Sequence, residues 1–394
     1  MKRRRIMIAV TGSRALLEGV ARFVRPGLPW VFELAPLSEK VLASLQTDPP
    51  DGVLAYLGND SSMEIVKLLK TCVVNISGAV PKSHVPRVCV DSVAAGRLAA
   101  EHFLQRGFRH FAYVGYTIPA FSNERLDGFR QRLAEAGLGC DAFLAEVVLS
   151  YETRQRTGEL DQAMREWLLA LPPATALFAA NDSLAWWVTE IAHVADVAIP
   201  EQLAVLGMDD AEFSTLSWPQ LSTVVTPFEM IGYEAAKLLH QLVEGEVASA
   251  PAPDIRVMPT EIITRQSTDV LATPDAALAL ALRYIREHAD DAGLRVEHVA
   301  AAAAINRRSL ERRFQQLLQR SPLDEIRRAR VERAKHLLKR PELSIEQIAE
   351  SCGFSSRKWF SMAFKADTGM TPPEFRQSVA AMGGPRLSPL DRTR

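Results

Sequence analysis

Two patterns of hydrophobic and polar residues divide this chain of 394 residues. Over residues 1 to 268, short apolar runs alternate with longer segments in which apolar residues recur every three or four positions. The apolar runs predict strands and the periodic segments predict helices. Alternation over this length predicts parallel α/β sheets arranged in two lobes. From residue 277 to residue 378 the pattern is helical, which predicts a second, all-α domain.

The predicted strands of the first part are "RIMIAV", "WVFELA", "GVLAYLG", "CVVNIS", "RVCV", "HFAYVG", "AEVVLS", "ALFAA", "LAVLGM" and "STVVTP". The predicted helices between them include "AAGRLAAEHFLQRG", "NERLDGFRQRLAEAG" and "EMIGYEAAKLLHQLVEG". In parallel sheets of this kind, ligands bind at the carboxyl ends of the strands. The loops that follow the strands are therefore where a binding site is expected.

The second part contains two helix-turn-helix patterns joined by one long helix. The first pattern spans Val296 to Leu318, the second spans Ser344 to Ala366, and the joining segment is Pro322 to Arg340. In each pattern an apolar helix precedes a helix with one face rich in Arg or Lys. A helix of that kind fits the DNA major groove, and two copies can read successive grooves about 34 Å apart. We predict a module that reads double-stranded operator DNA.

The second helix of each pattern has an inward and an outward face. The inward side chains are predicted to be Leu310, Phe314 and Leu317 in the first pattern and Phe360, Ala363 and Phe364 in the second. We expect outward side chains to contact DNA, namely Arg307, Arg308, Glu311 and Arg312 in the first and Arg357, Lys358 and Ser361 in the second. Predicted helix starts are an N-cap at Asn306, an N-cap at Ser355 and a capping box of Ser344 with Gln347, and Gly353 suits the second turn.

The segment from Val296 to Arg376 resembles the DNA-binding domain of AraC-type transcription regulators. "LSIEQIAESCGFSSRKWFSMAFKADTGMTPPEFR" carries most of this resemblance. One departure is "QRSP", Gln319 to Pro322, where the family more often has Gly before its Ser-Pro. The resemblance implies a regulator of transcription, with activation as the more typical outcome and RNA polymerase as a further partner.

The charge distribution agrees with a DNA-binding end. Residues 271 to 394 contain 22 Lys and Arg against 15 Asp and Glu, whereas the rest of the chain has more acidic than basic residues. The basic end can neutralise phosphates and the acidic body cannot. The basic joining helix could contact phosphates or form a solvated face. We expect domains at residues 1–268 and 277–378, a linker at 269–276 and a disordered tail at 379–394.

Polar side chains follow several strands of the first part. They are Ser13, Arg14, Asp91, Asn123, Arg125, Tyr151, Asp182 and Asp209, with Asn181 beside Asp182. Carboxylates and amides together with Arg can donate to and accept from several hydroxyl groups, as a sugar requires. Capping is the alternative for Asp91, Asp182 and Asp209, because each can begin a helix. An ion pair with Glu124 or Asp127 is the alternative for Arg125.

This part resembles the sugar-sensing domain of LacI-type repressors and the related periplasmic sugar-binding proteins. "ERLDGFRQRL", "LFAANDSLA", "IPEQLAVLGMDD" and "STVVTPFEMIGYEAAKLLHQLV" carry the resemblance over residues 5 to 266. It implies a two-lobed, type I periplasmic-binding-protein-like fold, with Asn123, Asp182 and Asp209, and also Arg125 and Asp91, at sugar-contacting positions. Trp187 departs from the small residue usual in the family, and a Trp on such a helix more often belongs to the core.

A sugar sensor followed by AraC-type helices is the order found in regulators of xylose operons. That resemblance implies a homodimer and a pentose effector, with D-xylose as the first candidate and a repressor for another monosaccharide as the alternative. An enzyme is the weakest hypothesis, because the chain has no nucleotide-binding, hydrolase or metal-ligand motif. We therefore expect no cofactor and no metal. Four scattered cysteines, no signal-peptide pattern and no stretch of about 20 apolar residues favour a cytoplasmic protein outside the membrane.

Overall fold

The computed structural model describes residues 3–10, 13–24, 28–35, 41, 47–59, 62–63, 66, 69, 71–80, 84–146, 157–269, 275–338 and 342–382. The chain divides into two compact units, Met1–Ala272 and Thr273–Arg394. The first unit contains two six-stranded sheets and the second is helical. Each unit is described separately.

The first sheet of the first unit is parallel. Its strands are β1 (Arg4–Ala9), β2 (Trp30–Leu34), β3 (Gly52–Ala55), β4 (Cys72–Asn75), β5 (Arg87–Val90) and β11 (Asp254–Val257), in the order β11-β5-β4-β3-β1-β2. The register is fixed by pairs such as Met7 with Val53 and Ile255 with Val88. Residues on both faces of β3 and β5 are buried, which is why these strands read as continuous apolar runs.

The second sheet is parallel except at one edge. Its strands are β6 (His110–Tyr116), β7 (Asp141–Ala145), β8 (Thr175–Ala179), β9 (Leu203–Met208), β10 (Ser222–Val224) and β12 (Ile262–Ile263), in the order β12-β10-β9-β8-β6-β7, with β12 antiparallel to β10. The carboxyl ends of β6, β8, β9 and β10 therefore lie along one edge. The loops that leave these strands form the neighbourhood analysed below.

Helices cover the faces of the two sheets. They are α1 (Arg14–Phe23), α2 (Ser92–Gln105), α3 (Ala120–Ala134), α4 (Gly158–Ala170), α5 (Asp182–Val194) and α6 (Phe228–Val243). Gly96 of α2 lies against the backbone of α3, where an added Cβ would come within 2.0 Å of the Arg125 carbonyl oxygen. Such close contact fixes the position of α3 and of its Arg125 side chain relative to α2.

The two sheets are connected through the start of α3. The Ala120 amide donates to the Ala79 carbonyl at 2.8 Å, and Arg256 on β11 pairs with Glu124 on α3 at 2.9 Å. Glu124 is thus the partner of Arg256, and the ion pair of Arg125 with Glu124 that the sequence left open is not formed. These contacts hold α3, which belongs to the second sheet, against the first sheet.

The two-lobed α/β prediction is confirmed, and its set of strands differs from the structure in three places. The predicted strand "AEVVLS" shares only Ala145 with the strand of this region, Asp141–Ala145, and its residues 147–150 lie outside the described part of the chain. The sequence interpretation also missed β11 and β12. Asp254–Val257 is only partly buried and carries charged residues, so it lacks the apolar run that marks the other strands.

The second unit consists of seven helices within its described residues. They are α7 (Ala276–Glu287), α8 (Val296–Ala302), α9 (Arg307–Leu318), α10 (Pro322–Leu337), α11 (Ile345–Ser351), α12 (Arg357–Thr368) and α13 (Pro372–Met382). Helix α13 continues to Met382 and so includes the first four residues of the predicted tail, and residues 383–394 lie outside the described residues. No helix in the part of the chain described here is long and apolar enough to cross a membrane.

Candidate functional site

Polar side chains converge at the carboxyl edge of the second sheet. Tyr116 ends β6, Asn181 follows β8, Asp209 follows β9 and Thr226 follows β10. Arg125 reaches the same place from α3, because its guanidinium donates to the carbonyl of Ala180 between β8 and α5. We call Tyr116, Arg125, Asn181, Asp209 and Thr226 the edge cluster.

Arg125 is the central residue of the edge cluster. Its side chain is only 5% exposed, and its Nη2 lies 3.8 Å from Asp209 Oδ1. The ring of Phe121 lies 4.8 Å from the guanidinium carbon, which adds a favourable cation–π contact. Arg125 Nε is buried, and none of the described residues accepts a hydrogen bond from it. The guanidinium therefore keeps donor capacity that no described residue uses.

Asp209 supplies a carboxylate beside that guanidinium. Its Oδ1 accepts a hydrogen bond from Thr226 Oγ1 at 2.8 Å, and the side chain remains 35% exposed. The residue has φ of 108°, a value that few residues other than Gly adopt, so the turn after β9 holds it in an uncommon conformation. Part of the carboxylate stays accessible to a hydroxyl donor.

Asp182 lies behind this surface and does not fit the expected role as a direct sugar contact. Its residue is 1% exposed, its Oδ1 accepts from Thr223 Oγ1 at 2.9 Å, and its Oδ2 accepts from the Ala211 amide at 2.8 Å and from Ser214 Oγ at 2.7 Å. Gly207 makes room for it, because a Cβ there would lie 2.1 Å from Asp182 Oδ1. Asp182 therefore positions the loop that carries Asp209.

The same burial changes the acidity of Asp182. Loss of hydration, followed by the nearby Asp209 carboxylate, raises the pKa of Asp182 to about 7. Three hydrogen bonds to the carboxylate oppose this shift without cancelling it. The loop after β9 is thus held by a group whose protonation changes near neutral pH.

Asn181, and not its neighbour Asp182, is the partly exposed residue of this pair. Its Oδ1 accepts from the Leu184 amide at 3.0 Å and caps α5, and its Nδ2 lies 3.4 Å from the Tyr116 hydroxyl. In the sequence, Asn181 and Asp182 stand side by side after a strand. The geometry of the turn decides that Asn181, and not Asp182, belongs to the edge cluster. Tyr116 directly follows the predicted strand "HFAYVG" and is the last residue of β6, and it was not among the expected contacts.

The other expected sugar contacts are dispersed. Asn123 is exposed on α3, and its Nδ2 lies 3.4 Å from the Thr117 carbonyl, next to the end of β6. Ser13 and Asp91 cap α1 and α2, where their side chains accept from the amides of Leu16 and Ala94. Arg14 is 80% exposed and pairs with Glu18 at 2.8 Å. Tyr151 lies outside the described residues.

The two tryptophans of α5 have different surroundings. Trp187 is buried, and its indole N–H donates to Asp161 at 2.7 Å, so it belongs to the core as the sequence favoured. Trp186 is partly buried and lies 5.1 Å from the ring of Phe213, in the loop that Asp182 holds. The bulky residue at position 187 therefore fills the interior of the second lobe.

The edge cluster has the chemistry of a site for a polyhydroxylated ligand. It combines a guanidinium donor, a carboxylate acceptor, an amide and two hydroxyls, which together can satisfy several hydroxyl groups in fixed directions. Within the described ranges, no group of three or more His, Cys, Asp or Glu side chains could hold a metal ion. The arrangement favours binding through hydrogen bonds.

The helical unit contains an internal repeat at a spacing of 50 residues. Asn306 and Ser356 cap α9 and α12, and the buried Phe314 of α9 corresponds to the buried Phe364 of α12. Each helix ends with a left-handed residue followed shortly by a proline that begins the next helix. The left-handed residues are Gln319 and Gly369. The predicted pair of helix-turn-helix motifs is confirmed, with α9 and α12 as their second helices.

The helix starts agree with the predicted caps at all but one position. Asn306 accepts from the Ser309 amide at 2.8 Å, and Ser344 with Gln347 forms the expected capping box. The N-cap of α12 is Ser356, which accepts from the Trp359 amide at 3.3 Å, so the assignment to Ser355 is wrong by one residue. In the second motif two residues separate the left-handed Gly353 from the N-cap Ser356. In the first motif one residue separates the left-handed Ala304 from the N-cap Asn306.

The outward faces of α9 and α12 carry the expected cations. Arg308, Arg312, Arg357 and Lys358 are exposed and have no ion pair or side-chain hydrogen bond within the part of the chain that is described. Arg307 differs, since it pairs with Glu311 at 2.8 Å and with Glu297 at 2.5 Å. Arg307 and Glu311, which were both expected to contact DNA, thus form an ion pair with each other. The other cations are available to phosphates or bases.

Two large apolar side chains on α12 were not among the expected contacts. Trp359 is 61% exposed and Met362 is 54% exposed, on a helix whose buried face is already formed by Phe360 and Phe364. Sequence patterning treats apolar residues as core residues, and for that reason it passed over both. Ser361 is partly exposed next to them.

Comparison with known families identifies both units. A family model for a periplasmic binding protein-like domain matches residues 100–268, and a model for a helix-turn-helix domain matches residues 299–378. These ranges include the edge cluster, the second helix-turn-helix motif and all but the first three residues of the first motif. The two matches agree with the two architectures described above.

Several known proteins match the chain across both units. The chain is 29% identical over 389 residues to the xylose operon regulatory protein of Escherichia coli strain K12, covering 95% of this chain and 97% of that protein. It is 30% identical over 334 residues to the protein of the same name from Haemophilus influenzae, covering 83% and 84% of the two chains. A solved structure of the xylose-binding transcription activator XylR matches with a TM-score of 0.81 at 28% identity, over 96% of this chain and 99% of that one.

Proposed function

The chain belongs to the family of xylose operon regulatory proteins, and on that premise we propose that D-xylose is the effector that it senses. It is a sugar-responsive, DNA-binding transcription regulator and not an enzyme, with an AraC-type DNA-binding domain after its sensor. Activation of a pentose utilisation operon is the outcome we propose, because the similar solved structure is titled a transcription activator.

One observation indicates which atoms would bind the sugar. The buried Arg125 side chain keeps an Nε donor that no residue in the described ranges uses, and the Asp209 carboxylate, still partly exposed, lies beside the same guanidinium. A vicinal pair of sugar hydroxyls can accept from Arg125 and donate to Asp209 at once. We assign direct sugar contact to Arg125, Asn181 and Asp209, with Asn123 at the rim and Asp182 as the residue that positions the loop.

The DNA-binding unit is assigned from exposure and charge. Arg308, Arg312, Arg357, Lys358 and Ser361 lie on the outward faces of α9 and α12 and are available to the major groove. A chain that reads an operator of two half-sites acts as a homodimer in the cytoplasm, with RNA polymerase as a partner at the promoter. We assign residues 1–268 to the sensor, 269–276 to the linker and 277–378 to the DNA-binding domain.

A thermal-shift screen of the full chain tests the effector. D-xylose, D-ribose, L-arabinose, D-glucose and cellobiose would each be added at a series of concentrations. A ligand at 100 times its dissociation constant stabilises the folded state by about 2.7 kcal/mol. D-xylose should raise the unfolding temperature at the lowest concentration. A larger shift with another sugar would reassign the effector, and no shift with any sugar would contradict the sensor assignment.

A further inference from the structure

The two helix-turn-helix units differ at the centre of their outward faces. With the spacing of 50 residues, Arg308 of α9 corresponds to Lys358 of α12, whereas Arg312 corresponds to Met362. The framework around these positions is shared, since Leu310 and Phe314 match Phe360 and Phe364 and all four are 0% exposed. Equivalent positions of the two units therefore present a guanidinium and a thioether.

Met362 lies among cations and opposite the buried face. It follows Lys358 by four residues and precedes Lys365 by three, so the three side chains share one face of the helix. Phe360 and Phe364 point to the other side, where they pack with Phe354, Phe375 and the apolar residues of α10. With 54% of its surface exposed, Met362 contributes little to that core.

Trp359 extends the apolar surface to the flank of α12. It is 61% exposed and lines a cavity of about 170 Å³ with Leu323, Ile326 and other residues of α10. Lys358, Met362 and Lys365 lie outside this cavity lining. Trp359 is thus directed toward α10, and Met362 is the apolar side chain on the face that the unpaired cations share.

An apolar side chain on a base-reading face has one specific partner in the major groove. Thymine alone presents a C5-methyl group there, whereas guanine presents two acceptors that suit Arg. We propose that Met362 makes the second unit select a thymine at the position where Arg312 makes the first unit select a guanine. The proposal rests on the proposed DNA-binding function and adds a base preference to each unit.

A selection experiment with full-length protein provides the probe. Duplexes bound by the wild-type chain would be enriched from a randomised pool, and the enriched duplex would then be remade with each thymine replaced in turn by uracil. This replacement removes only the C5-methyl group. Burial of one such group is worth about 0.8 kcal/mol, so one uracil should weaken binding about fourfold. Equal binding by every uracil duplex would overturn the proposal.

Reciprocal substitutions assign the effect to the residue. Met362→Leu should keep the preference for thymine over uracil, and Met362→Ala should abolish it while leaving the other base pairs unchanged. Met362→Arg should change the enriched base from thymine to guanine at the base pair that the second unit reads, and Arg312→Met should make the opposite change at the base pair that the first unit reads. Unchanged base preference in both swaps would overturn the proposal. If the wild-type chain enriches no duplex at all, the DNA-binding function itself is contradicted.

Discussion

The edge cluster of the sensor and the outward faces of α9 and α12 are built on opposite principles. In the sensor, Arg125 and Asp209 lie 3.8 Å apart, and the loop that carries Asp209 is held by the buried Asp182. In the DNA-binding unit, Arg308 and Arg357 are exposed and make no ion pair within the described residues. The first site is organised before its ligand arrives, whereas the second is a set of solvated charges on a rigid helix.

This difference indicates that the two sites obtain their specificity in different ways. Partly buried groups fixed by hydrogen bonds select a ligand by direction and are weakly screened by salt. Exposed cations gain affinity by releasing counterions from DNA, so their contribution falls steeply as salt rises. We therefore expect sugar affinity to change little between 50 and 200 mM salt, and operator affinity to fall by orders of magnitude.

The largest effect of a single substitution is expected in the edge cluster. Asp209→Asn removes the charge beside Arg125 and should weaken sugar binding by about 10- to 150-fold, the equivalent of 1.5–3 kcal/mol for a charged hydrogen bond. The matched control is Asp210→Asn, since Asp210 pairs with Arg265 at 2.6 Å, outside the edge cluster. Isothermal titration with D-xylose measures both. Equal losses in the two variants would contradict the assignment of Asp209.

Substitutions on the DNA face should leave the fold and the sugar affinity unchanged. Arg308→Ala and Arg357→Ala should each cost about 1–3 kcal/mol of operator binding and relax the preference at one base pair. Arg307→Ala is the control, because Glu297 and Glu311 already neutralise that side chain. Fluorescence anisotropy on the enriched duplex measures the losses. A loss at Arg307 as large as that at Arg308 would mean that the paired and unpaired arginines act alike.

The burial of Asp182 predicts a pH dependence of stability in the sensor. Because its pKa is raised from 3.8 to about 7, the folded state binds the extra proton between these values, and stability from this group falls as pH rises from about 4 to about 7. Asp182→Asn should flatten that slope. Urea unfolding at pH 5 and pH 8, followed by tryptophan fluorescence, measures it. A variant with the slope of the wild type would rule out Asp182 as its source.

The smallest expected effect on stability concerns the C-terminal ends of α9 and α12. Gln319 has φ of 55° at the position that Gly369 occupies in the repeat, and a side chain in this conformation costs about 1–2 kcal/mol. Because Gly has its own entropic cost in folding, Gln319→Gly should stabilise the unit by roughly 0.5–1 kcal/mol. Hydrogen exchange of peptides from α9 and α10 should slow. Gln316→Gly, an exposed position inside α9, should have the opposite effect, and slower exchange in that variant would contradict the explanation.

The sequence predicted the architecture well because periodicity reports burial. The strands "RVCV" and "LAVLGM" and the caps Asn306 and Ser344 follow from local patterns, and the structure has them. The burial of Asp182 could not be predicted, because a strand followed by Asn-Asp shows two polar residues and only the turn decides which one is buried. Met362 escaped notice because an apolar residue on a helix is counted as core, whereas exposure depends on what the helix packs against.

The central claim is that sugar and operator binding are coupled through one chain, and their reciprocity tests it most directly. Typical coupling free energies of about 1–3 kcal/mol predict that saturating D-xylose changes operator affinity about 5- to 150-fold. Linkage requires operator to change the D-xylose affinity by the same factor. Both affinities would be measured on the full-length protein at one salt concentration. Equal factors above fivefold are the predicted result, and an operator affinity that D-xylose leaves unchanged would contradict the account.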